Sequence, residues 1–193
     1  MPFTPYHFGP SVFVGLALRR WLDVPVFVLA NVIVDIEVLV IAAIGLGRPQ
    51  HRYAHTLLIG ACVGVIWAVA AYPARPLFER LMQLLRIPYE TNFWKMLISG
   101  VLGVWFHVLI DGIYHWDVPM LWPSKARPLF NIIPHDWIKP ICVIFFFAAL
   151  IPYAFAAKSY SKQIKPAENE QKQKSIYADS NSKRNGLSHP LRD

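Results

Sequence analysis

The chain has 193 residues and a net charge of +7, with 55% of its residues apolar and only 16% charged, against roughly 25% charged in an ordinary soluble domain. Cys62 and Cys142 both lie inside apolar runs and read as small hydrophobes, which excludes a disulfide scaffold. Residues 158–193 hold eight of the 19 basic and four of the 12 acidic side chains, so a polar tail supplies +4 of the charge and the basic balance is no argument for direct nucleic-acid binding. What remains is an integral membrane protein.

Met1 to Ser11 contains three prolines and no Lys or Arg, which argues against a cleavable signal peptide. Ser11 to Leu22 is apolar for about 12 residues and ends on Arg19 and Arg20; at 1.5 Å per residue it covers about 18 Å, roughly half a bilayer. It is expected to be a half-spanning, re-entrant or interfacial helix. Val24 to Gly47 and Ala54 to Tyr72 are the first two full spans. Leu77 to Ile87 mixes apolar and charged residues at helical spacing after Pro73 and Pro76 and reads as an interfacial amphipathic helix. Lys95 to Tyr114 and Ile138 to Ala157 are the third and fourth spans.

The expected fold is therefore an all-α integral membrane protein of four transmembrane helices plus a short N-terminal helix and one interfacial helix. Residues 1–157 form the membrane-embedded domain, and 158–193 a basic, disordered tail. With the tail in the cytoplasm, Arg19, Arg20, Arg75, Arg80, Arg86, Lys95, Lys158, Lys162 and Lys165 are inside, against Arg48, Arg52, Lys125, Arg127 and Lys139 outside. This asymmetry favours a cytoplasmic tail.

An ionisable group inside a span costs several kcal/mol unless it is paired, solvated or bound to a metal. Asp35 and Glu37 lie in the middle of the first span, His107 and Asp111 in the third, and His115 and Asp117 follow at its end. His51 and His55 open the second span, and His7 precedes the half-span. His107 and Asp111 are i and i+4, so one helix face carries both within reach of one ion, and His51 and His55 share that separation. Asp35 and Glu37 diverge by about 200° on a regular helix, so either one of them stands back from the ion or the helix opens there. At their expected depths, one cavity open to the outer face gathers all of these groups.

Imidazole and carboxylate ligands without thiolate suit Zn²⁺, or Mn²⁺ or Fe²⁺, and the number of candidates allows one or two ions. A divalent ion lowers the pKa of its water and polarises a phosphoryl oxygen. Arg52 is placed to hold a phosphate or carboxylate bidentately. Glu37 or Asp117, whichever is not a ligand, is the natural general base.

In order along the chain, the early His7, the membrane acidic pair Asp35 and Glu37, the element H-R-x-x-H-[ST] (His51, Arg52, His55, Thr56), and the helix H-x-x-x-D (His107, Asp111) are followed by a turn made of Val118, Pro119, Leu121, Trp122 and Pro123. Over about residues 1 to 130 this set resembles the LexA-binding, inner-membrane-associated hydrolase family, also called YdjM-like membrane-bound metal-dependent hydrolases. Where that family's acidic element looks like P-D-[IL]-D, this chain has Val34 and Glu37 in place of the Pro and the second Asp, and His115 and Asp117 are additions after Asp111. The resemblance implies a bacterial inner-membrane location, a metal-dependent hydrolase and LexA as a partner.

The expected function is hydrolysis of a phosphoester of a lipid or other amphiphile by metal-activated water. His7, His55, His107, Asp111 and one of Asp35 or Glu37 are the expected ligands, with His51 and Arg52 orienting or protonating the substrate. Thr56 and His115 are supporting residues. The alternatives are a proton- or cation-translocating protein, and a noncatalytic membrane scaffold that recruits a partner such as LexA.

Overall fold

The computed structural model describes residues 5–45 and 51–163, together with 173, 174 and 176. Among them every regular element is helical and there is no strand. The helices are α1 (Pro5–Ala17), α2 (Val24–Ala43), α3 (Leu57–Ala71), α4 (Arg75–Leu84), α5 (Phe93–Tyr114) and α6 (His135–Ala148). Four helical stretches are long and apolar enough to cross a membrane: Val24–Ala43, Leu57–Leu84, Phe93–Tyr114 and His135–Gln163.

Helix starts follow from side chains that satisfy the free amides of a first turn. Asp23 accepts from the Val26 amide, Thr56 from that of Ile59 and Asn92 from that of Lys95. The second span accordingly begins at Leu57, and His51 and His55 stand on the loop before it. At its C-terminal end a 3-10 turn over Tyr72–Ala74 carries α3 into α4, so the amphipathic segment continues the second span and starts at Arg75 instead of Leu77. The short N-terminal helix begins at Pro5, six residues earlier than expected and with Pro10 inside it. Pro5 is tolerated because a first-turn amide has no helical partner to lose. α6 continues to Gln163, past the expected domain boundary at 157; of the expected tail, residues 164–172, 175 and 177–193 lie outside the described residues.

α5 is the central helix. Met96, Ser99, Gly100, Gly103, Val104, His107, Val108 and Asp111 are buried on one face of it. In lipid the hydrophobic effect gives helices little reason to associate, and close packing of small residues takes its place. A methyl added at Gly64 of α3 would lie 2.7 Å from the Gly100 carbonyl oxygen, and one at Gly103 would lie 2.5 Å from that of Phe27 on α2. Trp67 of α3 donates its indole N–H to Val26 of α2 at 3.0 Å.

The pairings fix direction. α2 and α5 run parallel: the Asp23 amide donates to Ser99 Oγ at 2.7 Å, and three turns further on Asp35 meets His107. α3 runs against α5, with Gly60 beside Val104 and Gly64 beside Gly100. α1 runs against α2, with Gly15 near Val24 and His7 near Asp111. The result is a bundle with His7, Asp35, His51, His55, His107 and Asp111 gathered toward one end. Most large side chains on the outer surface, among them Leu39, Ile66, Ile144, Phe147 and Ile151, are exposed and apolar, a surface made for hydrocarbon.

Candidate metal centre

The Glu37 carboxylate organises the loop that follows α2. It accepts from the backbone amides of Arg52, Tyr53 and Ala54 at 3.2, 2.9 and 3.1 Å and lies 3.0 Å from His55 Nδ1. An ionised carboxylate only accepts, so Nδ1 of His55 donates to Glu37 and Nε2 is left to hold either a second proton or a cation. That Nε2 is buried without a hydrogen-bond partner. It faces Asp35 Oδ1 and Asp111 Oδ2, each at 3.7 Å. The 200° divergence expected of Asp35 and Glu37 is therefore used: Asp35 turns into the bundle while Glu37 turns to the loop and orients His55, with α2 remaining a regular helix.

His107 Nε2 lies 3.3 Å from Asp35 Oδ1 and 3.1 Å from Asp111 Oδ2. Asp35, His55, His107 and Asp111 thus bring two nitrogens and two oxygens within 4.8 Å of one another. A tetrahedral site with bonds of about 2.0–2.1 Å has ligand-to-ligand edges of about 3.3 Å. The four edges just given, 3.1 to 3.7 Å, bracket that value. The unpartnered, buried His55 Nε2 and the mixed nitrogen and oxygen donor set both fit a divalent cation.

Around this quartet stands a second layer. His7 stacks on His107 with ring centroids 4.5 Å apart and puts Nε2 3.2 Å from Asp111 Oδ1, so it reaches the quartet through the other oxygen of Asp111. Ser11 Oγ donates to the His7 carbonyl at 2.7 Å, bracing the helix where Pro10 interrupts its hydrogen bonding. His51 repeats the design of His55: Nδ1 is 2.9 Å from Asp117 Oδ1 and Nε2 is 3.6 Å from Asp111 Oδ2. His51, His115 and Asp117 form a second group of potential ligands. Burial pushes the His115 imidazole down to about 4, so it is neutral at physiological pH and available as an acceptor or ligand.

Four carboxylates, those of Asp35, Glu37, Asp111 and Asp117, share this small volume with the imidazoles of His7, His51, His55 and His107. Burial lowers the proton affinity of His55, but the Asp35 and Glu37 carboxylates outweigh it and hold its pKa above the ordinary value. Such a cluster demands positive charge, and a divalent ion provides it more compactly than protons do. Next to it opens a cavity of about 530 Å³ lined by His51, Arg52, Trp116, Asp117, Trp122 and Arg127. Arg127 lies over the Trp116 ring at 5.4 Å. Thr56, the remaining residue expected near the site, caps α3 and donates to the Tyr53 carbonyl at 3.0 Å, which holds the loop bearing His55.

Besides Ser11 and Ser99, two further buried polar residues lie outside the set expected from the sequence. Asn31, one turn before Asp35, donates to the Phe27 carbonyl at 2.9 Å and leaves Oδ1 unpartnered. Asp23, at the opposite end of α2, is fully buried and accepts from Tyr89 Oη at 2.7 Å and from Thr91 Oγ1. Asn31 is neutral and so carries no ionisable signal inside the span, although its i,i+4 relation to Asp35 is legible in the sequence. Asp23 followed by Val24 and Pro25 is an N-cap pattern that the sequence also carried.

Neither the curated proteins nor the solved structures contain a match to this chain. A family model described as "YdjM inner membrane protein" matches residues 9–170, a range that includes every residue of the quartet and leaves His7 just outside. Four apolar helices of spanning length agree with a protein of that description, and the chain belongs to the YdjM inner membrane protein family.

Proposed function

We propose that Asp35, His55, His107 and Asp111 hold a divalent metal ion, with zinc favoured by the tetrahedral spacing and by two imidazole ligands, and that the protein hydrolyses a phosphoester of a lipid-like amphiphile. The observation that carries this reading is the junction of two features: four converging donors inside the membrane region and, beside them, a cavity carrying two guanidinium groups. When bound, such an ion lowers the pKa of water and polarises a phosphoryl oxygen.

The chain's own residues supply the rest. Arg52 and Arg127 orient the phosphate, since planar guanidinium groups match its oxygens bidentately. His51 stands between the quartet and the cavity, with Asp117 fixing its Nδ1 proton, and is placed to pass a proton to the leaving oxygen. Glu37 already accepts from three amides and one imidazole, so it acts as a positioning residue and the acid-base work falls to His51 with Asp117.

A second reading rests on the unbroken run of contacts from Asp35 through His107, Asp111 and His51 to Asp117, which suits a proton relay. Metal analysis of detergent-purified protein separates the two. The expected result is about one equivalent of zinc in the wild type and a near-complete loss in His107→Ala/Asp111→Ala, together with metal-dependent phosphate release from a panel of phospholipids and isoprenoid phosphates. Equal and negligible metal in both proteins would sink the hydrolase reading and leave the relay.

A further inference from the structure

At the end of the bundle opposite the metal centre, three cations converge on one cavity of about 280 Å³: Arg19 and Arg20 from the turn after α1, and Lys95 from the first turns of α5. Among the described residues Glu90 is the one acidic side chain in its lining, and Ser159 and Gln163 close it from the far end of the α6 helix. The nearby Asp23 carboxylate is already taken up by the Val26 amide, Tyr89 and Thr91. The described lining therefore carries a net charge of +2, counting three cations against Glu90. We propose that this cavity binds the phosphate group of an anionic phospholipid from the adjoining leaflet.

The cavity is built for an anion. The Lys95 ammonium is fixed by donating to the Arg19 and Glu90 carbonyls at 2.9 and 2.6 Å, which uses two of its three protons and holds the third for a ligand. Arg20 is exposed at the mouth and brings a planar fork that suits phosphate. Ser159 and Gln163 add neutral donors for the remaining oxygens. Trp21 and Trp94, each next in sequence to one of these cations, are exposed, as side chains at headgroup depth are. A basic pocket between membrane helices at that depth is where an anionic headgroup is bound. Because α1, the loop before α5 and the end of α6 all contribute, a bound headgroup also ties together the three elements that close this end.

The test measures lipid binding to the full-length, detergent-purified protein by native mass spectrometry, with phosphatidylglycerol, phosphatidylcholine and glycerol 3-phosphate as probes. Wild type should retain phosphatidylglycerol in preference to phosphatidylcholine. Arg20→Gln should weaken that binding about tenfold, as expected for one charge-assisted contact, while Arg20→Lys recovers part of it. Arg20 is exposed, so loss of binding in Arg20→Gln with unchanged helical content is separable from misfolding; Lys95→Gln in the same background should remove the preference. Equal binding of both lipids, or unchanged binding in Arg20→Gln, would overturn the proposal. Glycerol 3-phosphate binding as tightly as the lipid would overturn the assignment to a membrane headgroup. Loss of phosphatidylglycerol in Arg127→Gln with none in Arg20→Gln would place the lipid in the cavity beside the metal centre and equally overturn it.

Discussion

A carboxylate that orients a metal-binding histidine acts through the ring it holds. Glu37 fixes the His55 ring so that Nε2 faces Asp35 and Asp111, and Asp117 does the same for His51. Removing such a partner costs about 10- to 100-fold in metal affinity. Glu37→Gln, which keeps one oxygen for the loop amides, is expected to lose affinity in that range while α-helical content stays unchanged; competition against a zinc-chelating dye measures it. Asp117→Asn should affect zinc less, because His51 is not one of the four donors and only flanks them, beside Asp111 and the His55 ring, and should lower turnover more. Equal effects of the two on zinc would remove the distinction between a positioning carboxylate and an acid-base one. At this scale the sequence was informative where chemistry is local: an i,i+4 pair in an apolar helix announces itself, and His107 with Asp111 does meet at 3.1 Å. Whether Asp35 or Glu37 faces the ion was not legible, because the answer depends on where a loop 15 residues downstream returns to α2.

Elements were legible in number and order, since 20-residue apolar stretches separated by polar loops leave little choice in a bilayer. Their ends were less so. Thr56 caps α3 after two histidines that share helical spacing, so spacing alone placed His51 and His55 on the helix when they belong to the loop. How the helices pack was hidden for another reason: glycines in a span carry no periodic signal until their partners are known. Gly100→Ala would bring a methyl onto the Gly64 backbone, and that contact holds α3, which follows the His55 loop, against α5, which bears His107. Overpacking of this kind costs about 1–3 kcal/mol, so Gly100→Ala is expected to lower the unfolding temperature in detergent and to reduce bound zinc with it. Gly112→Ala is the comparison: its methyl would meet Met120 Sδ at an ordinary 3.6 Å and should be tolerated. A Gly100→Ala protein as stable and as metal-replete as wild type would show that the α3 and α5 backbones can separate without disturbing the centre.

The whole molecule has two ends with different chemistry, and the chain's path makes their separation testable. α6 finishes beside Arg19 and Arg20 through Ser159 and Gln163, so the C-terminal segment leaves from the basic end, while the cavity with Arg52 and Arg127 opens at the other. The excess of Lys and Arg at the basic end predicts a cytoplasmic location for it by the positive-inside rule, which would turn the candidate metal centre toward the outer face. In a Cys62→Ala/Cys142→Ala background, Tyr53→Cys near the centre should react with a membrane-impermeant maleimide in intact cells, and Arg80→Cys in α4 should react only after the cells are opened. Both positions are exposed, so access and not burial decides the outcome, and the reverse pattern would invert the orientation. The same geometry separates catalysis from recruitment. Removing residues 164–193 leaves every described residue of both cavity linings in place and should leave metal content and the proposed hydrolysis unchanged, whereas a LexA interaction seated on the C-terminal segment would be lost from a pull-down with purified LexA. Loss of metal on that truncation would instead mean that the segment folds back to support the bundle.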